Sequence, residues 1–369
     1  MKKRSETALS TNRSARFVLV TGLLVLLLIL GLVINANTGS VSIPAADIFH
    51  MTFQSLRLNI MNFFSAGKYK SELGAVINEN TASQILFRIR LPRVLLAALL
   101  GGALSVSGYL LQVFFRNPIA GPFVLGISSG AKMVVGLTLI FLIPHSTNTA
   151  SFSLMFAAFI GSLLITLLVL VFSQKVQSMS MLLVIGIMVG YICSAVTDFC
   201  ITFANDHDVI NLTNWSMGSF SGANWPHVRT AFLICIPGVI VSFLLSKPIS
   251  AYLLSEAYAA SMGVPVKAFR AALLLVSSLL SACVTAIAGP ISFVGIAVPH
   301  IARILLKSSR PHYLIPTVFF SGAVFCVFCD LLARTMFAPL ELKIGTVTSI
   351  LGAPVVIYLM IRRHSAERK

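Results

Sequence analysis

RVLLAALLGGALSVSGYLLQV, residues 93–113, is a run of 21 residues in which only the leading arginine is charged. An α-helix needs about 20 consecutive apolar residues to cross the hydrocarbon core of a bilayer. Gly102, Ser105 and Gly108 set small side chains at helix-contact spacing, which lets two backbones approach closely in lipid. Such an approach serves either fixed packing or re-packable helices along a transport path, and the spacing alone leaves both open.

The same pattern recurs along the chain. Of 369 residues, 57% are hydrophobic and 10% charged, where a soluble domain carries about 45–50% and about 25%. So few charges cannot cover a water-facing surface. Apolar runs lie at about 17–36, 93–113, 123–143, 151–172, 181–203, 228–246, 269–288, 291–306, 313–334 and 345–361. The expectation is an all-α polytopic membrane protein with ten transmembrane helices over 17–361, and tails at 1–16 and 362–369. The eighth run is short, follows Gly289-Pro290 and contains Gly295 and Pro299. Broken helices of this kind line cavities in which freed backbone groups find partners. The basic N-terminus and the uncharged run Phe17–Ile34 read as a retained first helix rather than a cleaved signal peptide.

The net charge is +16, from 27 Lys and Arg against 11 Asp and Glu. With the N-terminus inside and the chain alternating, 17 of the basic residues fall inside and 9 outside, with Lys132 within the third run. That excess satisfies the positive-inside rule without a nucleic-acid partner and places both termini in the cytoplasm. Two stretches do not span. Residues 37–92 form the largest outer segment, and within it SIPAADIFHMTFQSLRLNIMNFF (42–64) has a mixed pattern that predicts one or two short surface helices. Residues 250–265 lie inside, where Ser255 is placed to cap a short helix and Gly263 before Pro265 to stop it. That helix either lies on the membrane or docks a cytoplasmic partner.

Enzyme chemistry finds little support. The chain has no phosphate-binding G-x-x-x-x-G-K-[ST] loop and no H-E-x-x-H pair. Its seven histidines are isolated in sequence; His300 reads as a packing or capping residue. Cys326 and Cys329 form a C-x-x-C inside an apolar run without a second ligand pair nearby, and read as small packing residues. No catalytic residue, cofactor site or protein-built metal site is expected.

Charges at membrane depth carry more information, because they are costly there. Asp330 and Arg334, spaced i,i+4, either neutralise each other or present Arg334 to the outer mouth. Arg90 and Arg93 flank Pro92 at the outer start of the second run, against the positive-inside trend, and suit a bound carboxylate partner. Asp198 either lines a cavity or bonds within the bundle.

Six ordered stretches resemble the FecCD family of ABC importer permeases: RLPR (90–93), GGALSVSGYLLQVFFRNPIAGPFVLGISSGA (101–131), WSMGSFSGANW (215–225), SEAYAASMGV (255–264), AGPISFVGIAVPHIAR (288–303) and DLLARTMFAPLELKIGTVTSILGAP (330–354). The resemblance implies a multi-pass permease of the bacterial inner membrane. It would work with a second permease copy, two cytoplasmic ATP-binding subunits that hold the ATP, and an extracytoplasmic substrate-binding protein. The cargo implied is an iron–siderophore, with haem or cobalamin as alternatives. It assigns Arg90, Arg93 and Arg334 to docking of the binding protein. Ser255, Glu256, Ala259, Ala260, Met262 and Gly263 fall on the coupling helix that meets the ATPase. Trp215, Met217, Gly218 and Ser219, with Asp198, fall at the outer gate and path, while Asp330 is a structural partner. The sequence departs from the family pattern at Gly121, where an acidic residue is usual, at Lys132, and in a longer stretch near 54–83.

Overall fold

A computed structural model describes residues 2–39, 43–64, 70–78, 80–142, 150–176 and 178–367. The described chain is helical throughout its ordered elements, and seven helices are long and apolar enough to cross a membrane. Three further apolar helices, Ile127–Leu142, Val294–Leu306 and Ile344–Tyr358, are shorter than that. Each of the ten expected runs coincides with one of these ten helices.

Helix α1 (Lys2–Asn37) continues the first apolar run back through the N-terminal tail; Met1, Arg368 and Lys369 lie outside the described residues. The stretch 42–64 holds one helix, α2 (Ala45–Phe64), and two more follow before residue 92, α3 (Lys70–Asn78) and α4 (Thr81–Ile85). A five-residue π turn, Leu86–Arg90, then joins α4 directly to α5 (Leu91–Phe115). The second span therefore begins well before residue 93. Pro92 has no N–H to give and its ring crowds the carbonyl four residues back. The wider π turn just upstream takes up that misfit, with the Leu91 N–H reaching Leu86 O.

Helix α5 is the hub. It is packed by α10 (Trp225–Leu244), α13 (Val266–Ala288), α14 (Val294–Leu306) and α15 (Pro311–Thr335), and 83% of its apolar window is buried. Gly102 rests on Phe319, and Gly108 lies so close to Gly295 that a Cβ would overlap the Gly295 backbone. The small residues at helix-contact spacing are thus contact points of α5 with α15 and α14.

A second group forms beside the hub. Helix α6 (Ile127–Leu137) starts after the Pro118–Pro122 turns and packs on α7 (Ala150–Lys175) and α8 (Met179–Ile201). Helix α9 (Asp206–Ser216) was not anticipated. Its apolar positions are too few for a membrane pattern; Asp206 and Asp208 in its first turn suit the positive helix start. The non-spanning stretch near 250–265 is two helices, α11 (Ser246–Leu254) and α12 (Glu256–Ser261), and α16 (Ile344–Glu367) ends the described chain. All six cysteines are buried and none is in a disulfide.

Candidate functional site

Three places matter: a charged cluster at one end, a broken junction beside it, and a pair of short helices at the other end. The cluster forms where α1 ends, α5 begins and α15 ends. Arg93 lies between two carboxylates. Its Nη2 and Nε donate to Asp330 at 3.0 and 3.1 Å, and its Nη1 donates to Glu341 at 3.0 Å. Arg334 Nε stands 3.5 Å from the other oxygen of Asp330. Its Nη2 donates to the Asn35 side chain and to Asn35 O at 3.2 Å. Arg90 Nη1 donates to Ala36 O at 2.6 Å and Asn37 O at 3.0 Å.

The three arginines singled out for an outside partner are therefore brought together, but they are engaged within the chain. Arg90 and Arg93 are buried. Asp330 is 2% exposed in its side chain, whereas Glu341 is 46% exposed. Three cations against two anions leave the cluster one charge positive. Arg334 and Arg90 satisfy carbonyls at the end of α1 that have no partner within the helix. The Asp330–Arg334 spacing proves to be an ion pair with Arg93 as a third member. Asn35 and Glu341 were missed; Glu341 stood in the stretch 330–354 as the second acid near Arg334, beside Asp330.

The broken junction runs from Gly289 to Phe293, between α13 and α14. Trp215–Ser219, at the end of α9, is laid across it. Ser219 N–H donates to Ala288 O at 2.7 Å. Gly218 and Gly289 both have positive φ, at 70° and 75°, a region that side chains with a Cβ avoid. A Cβ on Gly218 would meet Pro290 O, and one on Gly289 would meet Trp215 O. Met217 is exposed above this joint. The Trp225 indole N–H donates to Phe87 O at 2.8 Å, which ties the following turn to the charged cluster. Asp198 sits on α8 among exposed apolar residues, Tyr191, Ile192 and Phe199. Only 22% of the α8 window is buried, so this face is left uncovered by the chain's own helices. His300 bonds the Pro118 carbonyl at 3.2 Å. Gly121 is buried against Ile296, where a larger side chain forces a shift.

At the opposite end, Ser255 Oγ accepts the Tyr258 N–H at 2.9 Å and caps α12. Gly263, at φ 81°, ends it. Tyr258 and Met262 are exposed, as are Ala260, Ser261 and Gly263, whereas Ala259 is fully buried. Ala259 faces the bundle and seats the helix rather than presenting it. Tyr252, on α11, anchors the pair from beneath. Its hydroxyl donates to Glu256 at 3.1 Å, Arg116 lies 4.6 Å over its ring, and Arg116 Nη2 donates to Tyr252 O at 2.9 Å. Burial, and then the nearby Glu256 carboxylate, push the Tyr252 hydroxyl up to about 12, so at neutral pH it stays a donor. This anchor was not legible in the sequence, since Arg116 and Tyr252 are far apart in it.

Residues 25–362 match the FecCD transport family model. The chain belongs to the FecCD transport family. It is 37% identical over 285 residues to the vitamin B12 import system permease protein BtuC of Vibrio vulnificus, spanning 77% of this chain and 85% of that protein. It is 36% identical over 281 residues to the hemin transport system permease protein HmuU of Yersinia pestis, 76% and 84% of the two chains. An ABC transporter permease protein of Bacillus subtilis, YvrB, is 32% identical over 363 residues, 98% and 97% of the two. Among solved structures, a metal-chelate type ABC transporter in an inward-facing conformation superposes with a TM-score of 0.76 at 27% identity. That match covers 92% of this chain and 98% of the other. This FecCD member is thus a bacterial multi-pass membrane protein and a permease subunit of an ABC importer. Family membership implies a permease dimer, ATP-binding subunits and a substrate-binding protein.

Proposed function

We propose that this chain pairs with a second copy to form an alternating-access path for a metal chelate, crossing the membrane ten times with both ends in the cytoplasm. The observation that carries the reading is the uncovered face of α8. A carboxylate at membrane depth, Asp198, on a face with few contacts of its own chain calls for a polar cavity or a second subunit. Trp215, Met217, Gly218 and Ser219 form the outer gate of that path, resting on the broken junction. The cargo is proposed first as an iron–siderophore; haem and cobalamin are the alternatives, which the names of two relatives support.

A binding protein delivers the cargo to the charged end. Of the three arginines, Arg93 has the partner that is half exposed, so an incoming carboxylate reaches Arg93 by displacing Glu341. Arg90 and Arg334 hold the end of α1 in place for that exchange. Two ATP-binding subunits dock on Tyr258, Ala260, Met262 and Gly263, with Ser255, Glu256 and Ala259 fixing the helix that presents them. ATP stays on those subunits, and no cofactor belongs to this chain. An ion-coupled transporter is the weaker reading, because Asp330 is occupied by two arginines and Asp198 alone remains.

The test is uptake of labelled ferric siderophore, hemin and cobalamin by cells that carry the intact system, before and after ATP depletion. Loss of uptake on depletion, with an ATPase recovered alongside the purified permease, is expected. Uptake that survives depletion, without any ATPase partner, overturns the importer reading.

A further inference from the structure

At the end of the bundle that carries α11, a cleft of about 400 Å³ opens between three elements. Arg13 of α1 forms one wall, Ser250 and Leu253 of α11 another, and the turn Lys307–Pro311 between α14 and α15 the third. Among the described residues, none of its three cations, Arg13, Lys307 and Arg310, pairs with a carboxylate, and no carboxylate lines it. The negative end of α14 and the positive end of α15 meet at this turn and oppose each other, so the side chains set the sign.

The walls are held rather than loose. Ser14 Oγ lies 2.9 Å from the Tyr313 hydroxyl, Arg16 Nε donates to Leu305 O at 2.8 Å, and Phe17 stacks on Tyr313 at 4.9 Å. Lys307 is fixed in the left-handed region at φ 48°, which side chains with a Cβ seldom adopt. Depth is given by α1, whose apolar run starts one turn beyond Arg13. Val18 and Leu19 there are two-thirds exposed, and Leu254 beside the other wall is 71% exposed. A cationic cup at headgroup level therefore opens onto an uncovered apolar surface.

We propose that this cleft seats the phosphate headgroup of an anionic phospholipid, with Arg13, Lys307 and Arg310 on the phosphate oxygens and the acyl chains along the exposed face of α1. Basic pockets between helices on the cytoplasmic side suit such headgroups, and each cation near an anionic surface contributes modestly but additively. Ser309 supplies a hydroxyl donor to the same oxygens, whereas the Ser250 hydroxyl already donates to Ser246 O at 2.8 Å and only lines the wall. The site lies next to α11, so its occupancy steadies the platform that carries α12.

The experiment uses the complete complex in nanodiscs of phosphatidylcholine with and without phosphatidylglycerol, followed by native mass spectrometry of the lipid retained per permease. The wild type is expected to retain phosphatidylglycerol over phosphatidylcholine. Lys307→Gln with Arg310→Gln should weaken that retention about thirtyfold, the product of two lost charges, while Lys267→Gln at the same end leaves it unchanged. Ser309→Glu, a surface change that puts a carboxylate into the cleft, should do the same if the double variant fails to fold. Equal retention by wild type and Ser309→Glu overturns the proposal. Displacement of the lipid by inorganic phosphate alone overturns it too, since the cleft is then a site for a free anion.

Discussion

A carboxylate buried between two guanidiniums adds little net stability while intact, because desolvation offsets the attraction, yet removing it leaves Arg334 without a counter-charge and Arg93 with Glu341 alone. Asp330 holds that position between Arg93 and Arg334. Asp330→Ala should therefore cost about 3–5 kcal/mol, read as a lower thermal midpoint of the purified chain in detergent. Glu341 is different, being half exposed. Glu341→Gln should change stability by less than about 1 kcal/mol while raising affinity for the binding protein, since the internal competitor for Arg93 is weakened. An unchanged affinity, measured by surface binding of the purified binding protein, removes Arg93 from the docking surface. The i,i+4 spacing of Asp330 and Arg334 could be read from the sequence. The third member could not, because Arg93 lies 237 residues from Asp330 and only the packing of α5 on α15 joins them.

Among the elements, α12 shows how a short helix divides its work between two faces. Ala259 is buried against the bundle while its neighbours Tyr258 and Ala260 are exposed, and Met262, just past the last helical residue, is 64% exposed. Met262→Glu should leave the thermal midpoint within the roughly ±0.5 kcal/mol typical of surface changes and lower the ATPase stimulation seen in the complete complex. Ala259→Leu overfills the seat and should cost about 1–3 kcal/mol, with coupling lost only as the helix is displaced. Equal loss of stability in both variants would show that Met262 is not a contact residue. The Ser255 cap and the Gly263 stop were legible because both are local chemistry. The inward direction of Ala259 was not, since six residues carry too little periodicity to set a face. Helix α9 escaped for a related reason: its polar sequence lacks a membrane pattern, and its place is set by Gly218 meeting the α13–α14 junction. The π turn before α5 was hidden in the same way, although Pro92 marked the place where a regular helix is disturbed.

Across the whole molecule, the charge distribution and the contacts agree on which elements share an end. Arg13, Lys307 and Arg310 meet at one cleft, and Arg116 joins α11 there. The opposite end holds Arg90, Arg93 and Arg334, tied to the turn after α9 through Trp225. The proposed topology, argued from the positive-inside rule, puts the first end in the cytoplasm, but those counts assumed that every run crosses. Three of the ten helices are short, so the crossings need a direct measure. The native cysteines make one practical, because all six are buried and a buried thiol in an apolar site reacts poorly. Ser309→Cys lies in the exposed turn at the first end, and Gly222→Cys projects into open space at the other. A membrane-impermeant maleimide applied to spheroplasts should label Gly222→Cys at once, and Ser309→Cys only after permeabilisation. The reverse order would invert the protein in the bilayer and detach the exposed face of α12 from any cytoplasmic ATPase. Labelling of both without permeabilisation would mean that an even number of the intervening helices crosses, with α14 the first suspect because its thirteen residues reach about 20 Å at 1.5 Å each, short of the about 30 Å core.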